Sequence, residues 1–78
     1  MTLATRAEAL FASSLQPSDQ PTFDEVVAAI GRSLRTHGGV SGCVDAVAAQ
    51  YGEHPEEAAS RMRWALSLVV ERPVAVAQ

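Results

Sequence analysis

The chain has 78 residues, of which 47% are apolar and 19% charged, and its formal net charge is −3. This length allows a single small domain, 1–78, and the composition suits a globular domain and argues against disorder. The acidic balance counts against general affinity for nucleic acid, which rests on neutralising phosphates.

A first helix is expected over about 2–16. On a helical wheel Leu3, Ala7, Leu10, Phe11 and Ser14 share one side, while Arg6, Ala9 and Ser13 face away. It has two possible starts: Thr2 can cap it, or Thr5 and Glu8 can form a capping box. Residues 16–21, QPSDQP, stop it and predict an ordered corner. Thr22 with Glu25 is a second capping box, and it opens a helix over about 22–37. Asp24 and Glu25 suit the positive end of that helix, and Arg35 and His37 the negative end. Phe23, Val26, Val27, Ile30 and Leu34 form its apolar stripe, and Gly38 and Gly39 supply the left-handed residue that ends it.

Ser41 is placed to cap a third helix over about 42–51. Val40, Cys43, Val44, Val47, Ala48 and Tyr51 share its apolar face, and Gly52 closes it. Pro55 suits the first turn of a fourth helix over about 55–72, with Pro73 as its stop. Ala58, Ala59, Met62, Ala65, Leu66, Val69 and Val70 make one broad stripe on that helix. Trp64 and Leu68 lie nearly opposite, beside Arg61. A helix with two apolar sides either runs through the middle of the domain or meets another chain. Alternatively, the first helix or the tail PVAVAQ covers Trp64 from within. Because tryptophan and arginine are enriched at interface hot spots, Arg61, Trp64 and Leu68 form the candidate interaction surface.

The expected fold is all-α, a compact four-helix domain. With two Phe, one Tyr and one Trp, its core must be mostly Ala, Val and Leu, which calls for closely approaching helices. His37, Cys43 and His54 are residue types that bind zinc, but their spacing matches no zinc pattern. Cys43 near a helix start could carry a lowered pKa. There is no oxyanion-hole signature beside it, and so short a chain leaves little room for a substrate pocket of about 300 Å³ or more. The acidic pairs at Asp24/Glu25 and Glu56/Glu57 are accounted for by helix starts. No enzymatic activity, metal or cofactor is therefore expected. A lone cysteine allows no intramolecular disulfide. Without an apolar run of spanning length or a signal segment, a cytoplasmic protein off the membrane is expected.

Val47, Ala48, Ala49, Gln50, Tyr51 and Gly52, followed by Glu53, His54 and Pro55, resemble the bacterial helix-turn-helix motif. Ala48 precedes the turn glycine by four positions, and Ala58 falls where that motif needs a small or apolar residue. Covering roughly residues 44–63, the resemblance implies a DNA-binding transcriptional regulator that uses the helices around 42–51 and 55–72. The sequence departs from the motif at Glu53 and Arg61. It departs again at Glu56 and Glu57, which would bring carboxylates to phosphates. Residues 39–42, GVSG, are the nearest match to the phosphopantetheine site of carrier proteins, but they lack its aspartate and leucine. All six positive charges are arginine. That composition, rich also in alanine, is similar to small uncharacterised actinobacterial helical proteins, a resemblance that implies no function. The functional expectation is a protein–protein interaction or accessory module acting as a homodimer, whose partner is itself or another protein. The DNA-binding regulator is the alternative.

Overall fold

The computed structural model describes residues 1–71, with side-chain environments through Val70. Four helices make up the domain: α1 (Leu3–Phe11), α2 (Phe23–His37), α3 (Val40–Glu53) and α4 (Pro55–Glu71). Among the described residues there is no strand, and no helix is long and apolar enough to cross a membrane. The expected stop at Pro73 and the tail PVAVAQ lie outside the described residues.

α1 takes the first of its two possible starts. Thr2 is the N-cap, and its Oγ1 accepts from the Thr5 amide at 3.1 Å. The helix stops at Phe11, short of the expected residue 16. Ser13 causes this locally: its hydroxyl donates to the Leu10 carbonyl at 2.6 Å and accepts from the Leu15 amide at 3.3 Å. A serine that bonds nearby backbone in this way offers the chain an alternative to another helical turn. A short 3-10 turn, Pro17–Asp19, then forms the corner, tied by the Gln16 amide donating to Asp19 Oδ2 at 2.9 Å.

α2 follows its sequence closely. Thr22 Oγ1 accepts from the Glu25 amide at 3.2 Å, and Glu25 Oε1 accepts from the Thr22 amide at 2.8 Å. At its far end Gly38 is left-handed, with φ 76°. The Gly39 amide reaches back to the Leu34 carbonyl at 2.7 Å and the Gly38 amide to Arg35. These are the paired bonds of a Schellman end. Val26, Ala29, Ile30 and Ser33 face inward. Val27, expected in the core stripe, is 52% exposed. The inner face is centred between Val26 and Ile30, which leaves Val27 on its outer flank.

α3 starts two residues earlier than expected, with Gly39 rather than Ser41 as N-cap, and runs past Gly52 to Glu53. Only Cys43 on this helix is fully buried. His54 alone separates α3 from α4; its backbone (φ −141°, ψ 69°) lies outside the α region, which the following proline disfavours.

α1 packs against all three other helices, and α3 also meets α2 and α4. Ala7, Ala9, Leu10 and Phe11 are all buried although they point to different sides of the wheel. Ala9, expected to face away, has 0% exposure. The helix through the middle of the domain is therefore α1, not α4. Surrounding it are Val26, Ala29, Ile30, Cys43, Ala58, Ala65 and Val69. The many alanines let the backbones approach closely, as the shortage of aromatics demands.

Candidate functional site

α4 has one inner face, centred on Ala65. Ala58, Ala65 and Val69 are buried along it, and Met62, Trp64 and Leu68 pack beside them against the core. Trp64 and Leu68 thus flank this face from one side instead of standing opposite it. Leu66 and Val70, expected inside, are exposed. The helix is turned toward Trp64 relative to the sequence reading, because Arg61 also occupies the inner face.

Arg61 is there because α1 ends inside the domain. The last carbonyls of a helix have no partner within it, and a helix end surrounded by protein must find donors elsewhere. Arg61 Nε donates to the Phe11 carbonyl at 2.8 Å, and its Nη2 donates to Ser13 at 3.0 Å and Leu15 at 2.8 Å. From α2, His37 Nε2 donates to the Ala12 carbonyl at 3.0 Å. Both side chains can carry the positive charge that a helix C-terminus favours. Burial lowers the Arg61 pKa from its ordinary value, yet an arginine in a protein keeps its charge.

The guanidinium is also held by rings. It lies 4.8 Å from the Trp64 ring centroid and 5.7 Å from that of Phe11, within range of a cation–π contact. Phe11 in turn stacks on Tyr51, with centroids 6.2 Å apart and an interplanar angle of 14°. Tyr51, Phe11, Arg61 and Trp64 therefore form one chain of contacts across α3, α1 and α4. Of the candidate interaction surface, Arg61 and Trp64 are bound into this chain, and Leu68 packs on the same core.

The helical positions Ala58, Arg61, Ala65 and Leu68 carried a signal for this role. Arg61 alone is charged in a series spaced by three and four that otherwise packs inward. His37 had no such signal, because its partner lies 25 residues away.

The remaining residues singled out in the sequence are spread through the fold. Cys43 is a buried free thiol, its Sγ 3.7 Å from Ser33 Oγ and 3.9 Å from the Ser33 carbonyl oxygen. His54 is exposed, 3.5 Å from Glu57 across one turn of α4. With His37 bound to Ala12, the three zinc-type residues are not brought together, and no metal-holding cluster occurs among the described residues.

The outer side of α3 differs from expectation more than any other surface. Val40 is 46%, Val44 40% and Tyr51 38% exposed, and Ala48 is exposed with them. These four make an uncharged apolar stripe along the helix. They were expected in the core. The helix is turned so that Cys43, Ala46 and Val47 point inward, because Gly42 must face α2. A Cβ on Gly42 would overlap the His37 carbonyl, so only this rotation lets the two backbones touch.

At the α3–α4 corner, Glu53, Glu56 and Glu57 are all exposed. The single linking residue is shorter than the three- or four-residue turn of a helix-turn-helix. Comparison with protein-family models, with curated proteins and with solved structures found no match.

Proposed function

We propose that the chain is a cytoplasmic protein-interaction module that pairs with a second copy of itself through the outer stripe of α3. The observation that carries this reading is the exposure of Val40, Val44, Ala48 and Tyr51 on one face of a helix with a single fully buried residue. The stripe carries no charge, so a two-fold axis across it would set no like charges together. Its small side chains suit close helix packing. A domain of this size also buries little surface on its own and gains by association. The free, buried Cys43 fits a reducing compartment.

The regulator reading draws less support. Glu53, Glu56 and Glu57 stand where phosphates would approach, and the corner is short. Sedimentation equilibrium with a duplex-DNA shift assay separates the two readings. The wild-type chain is expected to dimerise in the micromolar range, about −8 kcal/mol. Val44→Glu, at an exposed site, should leave a monomer of unchanged helicity. A chain that stays monomeric at about 1 mM would overturn self-association. A salt-sensitive shift of duplex DNA would favour the regulator instead.

A further inference from the structure

Beside the end of α1 lies a groove of about 530 Å³ between the last turn of α2, the middle of α3 and Arg61 of α4. Phe11, Ala46 and Ala49 give it an apolar wall, and His37, Gln50 and Arg61 line its polar side. Although the chain carries nine carboxylate side chains, no Asp or Glu among the described residues lines this groove. The Arg61 cation has no acidic partner among the described residues. Its three acceptors are backbone carbonyls, which contribute dipoles but no opposite charge.

We infer that this groove binds a small organic carboxylate, with the apolar body of the ligand against Phe11, Ala46 and Ala49 and its carboxylate toward Arg61 and His37. Arg61 Nε is committed to the last residue of α1 and Nη2 to Ser13 and Leu15 just beyond it, while Nη1 has no acceptor among the described residues. His37 has committed Nε2, which leaves Nδ1, a donor when the ring is protonated. The guanidinium Nη1 amino group, joined by Nδ1–H in the doubly protonated ring, offers donors to the two oxygens of a carboxylate, whereas Nδ1 of the neutral ring only accepts. These donors are too few for a phosphate dianion, which presents more acceptor oxygens. The volume suits a ligand of this class, since small-molecule sites span about 300–1,000 Å³. An arginine already fixed by three hydrogen bonds and two rings is also preorganised, so little further ordering opposes binding.

The test is an NMR titration of the full chain with sodium benzoate, using benzyl alcohol as a neutral control at matched ionic strength. Saturable shifts at Ala46, Ala49, Gln50 and His37 are expected, with a Kd of about 1 mM or tighter. Gln50 is exposed, so charge can be placed on the rim without disturbing the core. Gln50→Glu should weaken benzoate binding about threefold or more, and Gln50→Lys should strengthen it by a similar factor. The inference is overturned if benzoate gives no saturable shifts. Equal affinity for benzyl alcohol, or equal benzoate affinities in the two Gln50 variants, would overturn it as well. Tighter binding of inorganic phosphate at the same residues would overturn the assignment to a carboxylate.

Discussion

Arg61 does for the centre of this domain what a glycine or a water does at most helix ends. Three carbonyls from Phe11, Ser13 and Leu15 converge on one guanidinium, and a planar fork is the side chain that can meet them together. Arg61→Ala should cost about 2–3 kcal/mol in urea unfolding, because carbonyls at a half-buried helix end lose a charged donor. Arg61→Lys should recover less than half of that, since one ammonium cannot span the same acceptors. Arg61→Met would keep the stem packed against Phe11 and Trp64 but supply no donors, and it should behave like the alanine variant. If Arg61→Met were as stable as wild type, packing rather than hydrogen bonding would explain the residue.

At the scale of the helix, ends set by adjacent residues were legible and ends set by distant ones were not. α2 was read correctly at both termini because each end is set within one turn: Thr22 with Glu25 at the start, and Gly38 and Gly39 with Arg35 and Leu34 at the finish. Thr22→Ala should therefore cost about 0.5–2 kcal/mol in thermal melts, and Thr22→Ser should restore most of it. The early stop of α1 also has a local cause in Ser13, but the helical pattern that runs on to Ser14 hid it. The rotation of α3 depends on a contact with α2 that no periodicity records. Gly42→Ala tests that contact. A methyl group there meets the His37 carbonyl, so the helices must separate, at a cost of about 1–3 kcal/mol. The same displacement should pull His37 from Ala12 and perturb the imidazole Nε2 resonance. An alanine variant that melts like the wild type would show that the α2–α3 approach is looser than the structure has it.

For the molecule as a whole, the all-α class and the four helices could be read from pattern alone. Which helix sits in the middle could not. α1 looked one-sided because Ala9 shares its far side with Arg6 and Ser13, whereas the longer α4 looked two-sided because Trp64 and Leu68 flank its inner face. The candidate surface at Arg61, Trp64 and Leu68 was drawn from that two-sidedness, and the structure uses all three within the chain. The contrast can be measured. Leu10→Ala, at the centre, should cost about 2–5 kcal/mol. Leu66→Ala, on the outer side of α4, should stay within about 0.5 kcal/mol in the monomer. Amide exchange should rank the same way, with Leu10 and Phe11 opening only on global unfolding. Equal losses for the two leucines would place the core elsewhere.

The central position of α1 also has a consequence in time. A ribosome makes this helix before the three that surround it, yet the guanidinium that closes its end lies 46 to 50 residues downstream. During synthesis the opening segment therefore has neither its surrounding helices nor the donor for its last carbonyls. A nascent chain halted at Ser60 would hold three helices' worth of sequence and still lack that donor. Its first helix, only nine residues long, is too short to persist alone in water. Release of α4 from the exit tunnel, with Arg61 and then Ala65 and Val69, is then the event after which this domain can close.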